Sequence, residues 1–216
     1  MTNEAARQQM LTQQVRAWSV LDPEVLQVMG EIPRERFVPA AYRSLAFADT
    51  AIPLADGQQM LTPQLEGRIL QALAITPADR VLEVGTGSGF LTACMARLAA
   101  HVTSLEIRPA LAESARNALH AVGTANCEVL ARDVFDWQPG QQFDCIVLTG
   151  SLPLDDARFR EWLAPGGRLF MVLGKPPAME ALLVSRDAQG GFRHDSLFET
   201  SLPALDNAPR AEGFVF

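Results

Sequence analysis

The chain alternates between two hydrophobic periods, and these periods predict its helices and strands. In residues 4–20 apolar side chains recur at helical spacing, which predicts an amphipathic helix with the apolar positions Met10, Leu11, Val15 and Trp18. Asp22 and Pro23 have the identities favoured at the cap and first position of a helix, so we expect a second helix to begin there.

Residues 32–63 follow neither period. They contain four prolines and remain rich in apolar side chains, which indicates an irregular cover and not a free linker. Prolines and an Asp-Gly turn punctuate the segment, so it could act as a moving lid over a ligand or as a fixed cover of a sheet edge. The pattern leaves both possibilities open.

From residue 64 onward, helical stretches alternate with short apolar runs. The pattern predicts helices over residues 64–75, 90–99 and 110–122, and strands over 80–84, 101–107, 127–131 and 143–150. It then predicts a helix over 158–167 closed by paired glycines, a strand over 168–174, and two terminal strands over 180–187 and 191–199. Such alternation is typical of a mostly parallel sheet with helices on both faces, so the predicted fold class is α/β.

The length of 216 residues fits one domain. We expect a single domain in residues 1–216, made of an N-terminal helical and irregular cover (1–63), a core (64–175), and C-terminal strands with a tail (176–216). The apolar residues that close the tail would otherwise be exposed, which predicts that the tail is ordered; they are Phe214, Val215 and Phe216.

Composition and charge narrow the class of function. Hydrophobic residues make up 48% of the chain and charged residues 20%, as in ordinary globular proteins. The net charge of −7 opposes binding to nucleic acid or anionic lipid. No stretch resembles a membrane span or a targeting signal, so we expect a cytoplasmic protein. Cys94, Cys127 and Cys145 lack the spacing of disulfides or metal ligands, so we expect reduced thiols and no metal site.

The candidate chemistry is concentrated in residues 81–90, VLEVGTGSGF, where a strand gives way to Gly85, Gly87 and Gly89. A glycine turn between a strand and a helix places backbone N–H groups at the carboxyl edge of the sheet, where such folds bind ligands. Phe90 stands where the dinucleotide-binding motif G-x-G-x-x-G has its third glycine. This difference argues against a nicotinamide oxidoreductase.

Acidic residues follow the next strands at the same edge. Glu106 ends one strand and Asp133 follows the next, and their carboxylates suit the hydroxyls of a ribose and the amino group of adenine. This order of features resembles the Rossmann-like class I methyltransferases that use S-adenosyl-L-methionine and release S-adenosyl-L-homocysteine. The resemblance implies a cofactor site at Glu83, Gly85, Thr86, Gly87, Ser88, Gly89, Glu106, Ile107, Asp133, Val134 and Thr149. Residues 83–89 would line the methionine part, Glu106 the ribose, and Asp133 with Val134 the adenine.

Five segments narrow the resemblance to the protein-L-isoaspartate O-methyltransferase family, covering about residues 8–175. They are VMGEIPRERFVP, AFADTAIPL, DGQQMLTP, VLEVGTGSGF and LAPGGRL, in the family's order and approximate spacing. Members methylate the abnormal carboxylate of isoaspartyl residues in damaged proteins, so the implied partner is an isoaspartyl protein or peptide. Such a carboxylate is already ionised near neutral pH, so it needs alignment and exclusion of water more than a base. The implied substrate-binding residues are Asp49, Gln58, Gln59, Leu61 and Thr62.

The residues expected to bind the methyl acceptor differ from the family's usual pattern. Leu61 stands where the family usually has a serine that is assigned to the active site, and Gln59 stands where it has a threonine. Thr62 is the candidate catalytic residue, because its hydroxyl could replace the serine if the loop shifts. Thr149 is retained, whereas Gly150 and Ser151 differ from the small alanines of the family.

The absence of a hydroxyl at Leu61 leaves two other functions open. The protein could be a methyltransferase with a different acceptor, such as another carboxylate, a protein side chain or a small molecule. It could also bind the cofactor without catalysis, as a sensor or partner module. A monomer is the default oligomeric state.

Overall fold

A computed structural model describes residues 2–210. The α-helices are α1 (Asn3–Met10), α2 (Pro23–Glu31), α3 (Pro63–Leu73), α4 (Phe90–Leu98), α5 (Pro109–Ala121) and α6 (Arg158–Glu161). A two-stranded sheet contains β1 (Ile52–Pro53) and β2 (Gln59–Met60). The main sheet contains β3 (Arg80–Val84), β4 (His101–Glu106), β5 (Cys127–Ala131), β6 (Phe143–Leu152), β7 (Leu163–Lys175), β8 (Ala178–Arg186) and β9 (Phe192–Glu199).

Local sequence accounts for the N-terminal helices. The predicted first helix is continuous, because α1 runs on through a π-helical turn, Leu11–Val15, and a 3-10 turn, Arg16–Trp18. It ends at Ser19, which takes a left-handed conformation with φ 60°. The Asp22 side chain accepts from the backbone N–H of Glu24 at the start of α2, so the predicted cap is confirmed.

The irregular segment contains short 3-10 turns at Arg34–Arg36, Ala40–Leu45 and Ala55–Gly57, together with the β1–β2 hairpin. Its buried apolar side chains include Phe37, Val38 and Ile52, and they belong to the same core cluster as α3 and α4. The segment therefore packs as a cover over the helices and the main sheet, as its composition predicts.

The main sheet has the order β5-β4-β3-β6-β7-β8-β9. The strands from β5 to β7 are parallel, and β8 and β9 add antiparallel pairs at one edge. From β3 the chain moves outward through β4 and β5, and then returns to the other side of β3 with β6. This reversal creates a switch point, and crevices at the carboxyl ends of the strands beside it are where α/β folds bind ligands. The α/β prediction is confirmed.

One predicted element is wrong. The helix expected over residues 158–167 ends at Glu161, and Gly166 and Gly167 lie within β7. The backbone carbonyl of Trp162 accepts from the N–H of Phe143 at 2.9 Å, which turns the chain into the sheet beside β6. Pro165 has no N–H to donate, so it could not continue the helix.

Two apolar clusters cover the two faces of the main sheet. One joins α2, α3, α4 and the irregular segment to side chains such as Val81 and Phe170. The other is built around Phe159 and Trp162, whose rings meet edge to face with centroids 5.5 Å apart. Cys94, Cys127 and Cys145 are free thiols, as predicted.

The C-terminal tail returns to the carboxyl end of β6. The backbone N–H of Ser151 donates to the carbonyl of Pro203 at 2.8 Å, and the N–H of Leu205 donates to the carbonyl of Ser151 at 2.9 Å. A Cβ at Gly150 would lie 2.8 Å from Leu205 Cδ2, so a glycine there allows this close approach. The predicted order of Phe214, Val215 and Phe216 lies outside the described residues. Within residues 2–210, no helix is both long and apolar enough to cross a membrane.

Candidate cofactor and acceptor site

A pocket opens at the carboxyl ends of β3, β4, β5 and β6, at the switch point of the sheet. It lies where α/β folds bind ligands, and residues from all four strand ends line it. The β1–β2 hairpin and the start of α3 form one wall, and the tail forms another. Chain segments distant in sequence thus enclose the glycine turn after β3.

Backbone geometry explains the glycines of that turn. Gly85, Gly87 and Gly89 have φ of 95°, 54° and 86°, in the left-handed region that favours glycine. A Cβ at Gly85 would lie 2.2 Å from Thr149 Oγ1. The Thr149 hydroxyl in turn lies 2.9 Å from the carbonyl oxygen of Val84 and 2.8 Å from that of Gly85. The turn therefore rests directly on β6 and leaves its open side to the pocket.

The Glu106 carboxylate lies at the end of β4, against the glycine turn. Its Oε2 accepts from the Gly87 N–H at 2.9 Å, and its Oε1 accepts from the Arg108 N–H at 3.1 Å. Each carboxylate oxygen has a second acceptor position. Glu106 is thus held in a fixed orientation and can still accept two hydroxyls from a ligand.

Asp133 and Val134 line the pocket after β5. Asp133 Oδ1 accepts from the Phe135 N–H at 2.8 Å, and Oδ2 accepts from the Asn207 side-chain amide at 2.6 Å. Asp206, which precedes Asn207 in the tail, forms an ion pair with Arg108 at 2.7 Å. The tail is therefore tied to both strand ends that carry the predicted ribose and adenine residues.

Glu83 lies fully buried below the glycine turn. Its Oε2 accepts from the hydroxyls of Thr92 and Ser104, whereas its buried Oε1 has no hydrogen-bond partner among the described residues. Burial raises the pKa of Glu83 to about 8, against the lowering effect of the two hydroxyls, and the nearby Glu106 and Glu66 raise it further. An unpartnered carboxyl oxygen at this depth fits a ligand with a hydrogen-bond donor or a positive charge.

The hairpin wall lies across the pocket from the glycine turn. It contains Gln58, Gln59 and Leu61, together with Glu66 from the first turn of α3. Glu66 is 2% exposed, and it pairs with Arg34, which is fully buried. Burial raises the pKa of Glu66 to about 7, although the charge of Arg34 and its hydrogen bond act in the opposite direction.

Arg34 joins four elements around this wall. Its Nε donates to the Ala46 carbonyl at 2.9 Å, its Nη2 donates to the Leu61 carbonyl at 2.7 Å, and its Nη1 donates to Glu66. Its guanidinium carbon lies 4.7 Å from the ring centroid of Phe90, at the start of α4. These contacts hold the backbone of the hairpin wall against the glycine turn and its helix.

Comparison with known proteins identifies the family. The sequence model of the protein-L-isoaspartate(D-aspartate) O-methyltransferase family matches residues 5–202. The chain belongs to this family. It is 38% identical over 180 residues to protein-L-isoaspartate O-methyltransferase 1 of Rhodopseudomonas palustris (strain HaA2), which covers 83% of this chain and 74% of the relative. It is 39% identical over 174 residues to protein-L-isoaspartate O-methyltransferase 1 of Anaeromyxobacter sp. (strain Fw109-5), covering 80% of this chain and 82% of that relative.

Solved structures of the family share the fold. A Plasmodium falciparum protein assigned as a protein-L-isoaspartate O-methyltransferase, in complex with S-adenosyl-L-homocysteine, superposes with a TM-score of 0.79 at 18% identity. The match covers 93% of this chain and 98% of that chain. The predicted family, the class I methyltransferase fold and the S-adenosylmethionine-dependent enzyme class are thereby confirmed.

Most of the site residues expected from the family pattern surround one pocket. Those from the cofactor set that line it are Glu83, Gly85, Thr86, Gly87, Ser88, Glu106, Ile107, Asp133, Val134 and Thr149, and those from the substrate set are Gln58, Gln59 and Leu61.

Three expected residues lie elsewhere. Gly89 precedes α4 as its cap, Asp49 is exposed before the hairpin, and the Thr62 hydroxyl caps α3 by accepting from the Leu65 N–H at 3.4 Å. None of the three lines the pocket.

Sequence reasoning missed Glu66, Arg34 and the tail residues Leu205, Asp206 and Asn207. The first two are 32 positions apart, and the contact between Asn207 and Asp133 spans 74 positions. The sequence signal that was available for Glu66 is an acidic residue in the apolar, buried half of a helix, where an unpaired charge is costly.

Proposed function

We propose that this protein transfers the methyl group of S-adenosyl-L-methionine to the carboxylate of isoaspartyl residues in damaged polypeptides. Membership of the family supports the reaction. The observation that supports this reaction for the present chain is that the glycine turn, Glu106 and the hairpin wall all line one pocket. A cofactor at one side and an acceptor at the other would meet in that pocket.

The residues present fit the cofactor. The left-handed glycines leave room for a ligand against the backbone, and Glu83 offers an unpartnered buried oxygen. In this proposal Glu106 accepts the two ribose hydroxyls, and Asp133 accepts from the adenine amino group while Asn207 fixes its orientation. When bound, the cofactor supplies an electrophilic methyl group on a sulfonium.

The protein's own contribution to the chemistry is alignment. The glycine turn and Glu106 would hold the cofactor, and the hairpin wall would hold the acceptor carboxylate beside it. The acceptor carboxylate is ionised near neutral pH, so no proton has to be removed from it. The glycine turn and the hairpin wall therefore need to position two groups and exclude water.

The test is methyl transfer from labelled cofactor to matched isoaspartyl and aspartyl peptides. We expect transfer to the isoaspartyl peptide well above the aspartyl control. Because Leu61 brings no hydroxyl to the wall, a methyltransferase with another acceptor is the second candidate. Labelling of a cell extract with none of the isoaspartyl peptide would favour that candidate, and tight cofactor binding without any transfer would favour a binding protein.

We also propose that the cover, the core and the C-terminal strands form one domain. The support is that Met10, Phe37 and Ile52 from the cover share an apolar cluster with Val81 and Phe170 of the main sheet. Among the described residues, neither apolar cluster is formed by the cover alone. The cover and the sheet should unfold in a single transition when both are followed by separate probes.

A further inference from the structure

The hairpin wall of the pocket, made of the β1–β2 hairpin and the start of α3, contains one deeply buried charged pair. Gln58 is half-buried and Gln59 is exposed, whereas Glu66 is 2% exposed and still lines the pocket. Leu61, in the same wall, has an apolar side chain and its carbonyl is engaged by Arg34. An anionic acceptor that reaches the buried end of the pocket would therefore meet Glu66, with the Arg34 guanidinium behind it.

The charge of this pair depends on one proton. With Glu66 ionised, its charge and that of Arg34 cancel. With Glu66 protonated, the pair carries one net positive charge and gains an O–H donor, which is the complement of a carboxylate. An ionised Glu66 would instead repel an acceptor carboxylate.

We propose that Glu66, in its protonated form and backed by Arg34, is the group that receives the isoaspartyl carboxylate at the wall where Leu61 offers no hydroxyl. This inference rests on the proposed function. It assigns to Glu66 the recognition of the acceptor and makes acceptor binding dependent on uptake of a proton.

The surroundings of Glu66 place its titration near neutral pH. Burial favours the protonated form, whereas Arg34, which faces Glu66 from the irregular cover, favours the ionised form through its charge and its hydrogen bond. The Glu83 carboxyl of β3 also lies nearby, and its own pKa of about 8 leaves it neutral where Glu66 titrates. Cys94 of α4 also faces the pair, and its thiol is neutral because burial raises its pKa well above the usual value. The resulting pKa of Glu66 is about 7, and a hydrogen bond to an arriving carboxylate would raise it further.

The experiment is calorimetry of a short isoaspartyl peptide binding to the full chain in the presence of S-adenosyl-L-homocysteine. Titrations at pH 8 in two buffers with different ionisation enthalpies give the number of protons taken up. We expect close to one proton for the wild type and none for Glu66→Gln, whose amide donates at every pH. Glu66→Ala should bind the peptide about ten- to a hundredfold more weakly, and adding Leu61→Ser to it should restore part of the affinity.

Activity supplies a second readout. Above pH 7, kcat/KM of the wild type for the peptide should fall about tenfold per pH unit, whereas that of Glu66→Gln should stay flat. Glu35→Gln is the matched control, because Glu35 pairs with Arg7 at 3.0 Å outside the pocket, and it should behave as the wild type. Unchanged affinity for S-adenosyl-L-homocysteine shows that each variant has kept its site.

The outcomes separate this inference from the proposed function. Wild-type methylation of the isoaspartyl peptide without proton uptake, or equal peptide affinity in Glu66→Ala and the wild type, would overturn the role of Glu66 alone. A wild type that never methylates the peptide between pH 6 and 9 would overturn the function and this inference with it.

Discussion

Glu83→Gln tests whether the buried carboxyl below the glycine turn is held in its neutral form. The pKa of Glu83 is raised from 4.5 to about 8, mainly by burial. A raised pKa means that the folded state binds the proton more tightly than the unfolded state does. The stabilising contribution of Glu83 is therefore complete below pH 4.5 and is lost as the pH rises through about 8.

The size of the effect follows from the shift. Each pKa unit corresponds to about 1.4 kcal/mol, so a shift from 4.5 to about 8 corresponds to a loss on the order of 5 kcal/mol. Glutamine has nearly the same shape and its oxygen can still accept from Thr92 and Ser104, but it does not titrate. The free energy of unfolding of Glu83→Gln should thus rise relative to that of the wild type as the pH increases.

The assay is urea unfolding of both proteins without cofactor at pH 5, 7 and 9. The difference in unfolding free energy between variant and wild type should move in favour of the variant by several kcal/mol across this range, most of it below pH 8. Glu113→Gln, on the exposed side of α5 with 64% of its side chain accessible, should leave the difference near zero. A constant difference between Glu83→Gln and the wild type from pH 5 to 9 would refute the reasoning.

Three further substitutions test the rest of the site. Gly85→Ala places a Cβ 2.2 Å from Thr149 Oγ1 at φ 95°, so cofactor affinity measured by calorimetry should fall at least about tenfold. Gly123→Ala is the control, because Gly123 has φ 76° but lies in open space; it should show only the backbone strain of about 1 kcal/mol in unfolding experiments. Glu106→Ala removes the acceptor for the ribose hydroxyls and should weaken cofactor binding by about ten- to a hundredfold; an unchanged affinity would argue against the ribose role. Arg34→Ala removes the buried partner of Glu66 together with three hydrogen bonds. It should cost about 3 to 5 kcal/mol, seen as a Tm lowered by roughly 6 to 20 °C, and a change below about 1 kcal/mol would contradict the buried pair.

Elements specified by neighbouring residues were predictable from the sequence. The strand–glycine turn–helix unit needs only residues 80–98, because its hydrophobic period and its glycines act locally. The helix over 158–167 was wrong because its end depends on a partner outside the segment: β7 begins at Leu163, opposite Phe143 of β6. Tertiary pairing overrode the local pattern there.

The same distinction holds within the site. Glu106 could be placed because the carboxyl ends of parallel strands meet at one edge of a sheet. Glu66 and Asn207 could not, because their roles depend on Arg34 and Asp133, which are far away along the chain. A tail amide has no local pattern that distinguishes it from a solvent-exposed residue, and the place of Glu66 on the apolar half of α3 does not by itself identify its partner.

The contacts of Arg34 have a consequence for how the N-terminal segment can be altered. One side chain connects residue 46, the hairpin wall, α3 and α4, so the segment is an integral part of the hairpin wall and not a removable appendage. A shortened protein that begins after residue 46 would lose the arginine and keep Glu66 buried without its partner. Any trimming or domain fusion at the N-terminus should therefore leave the chain intact from Arg34 onward.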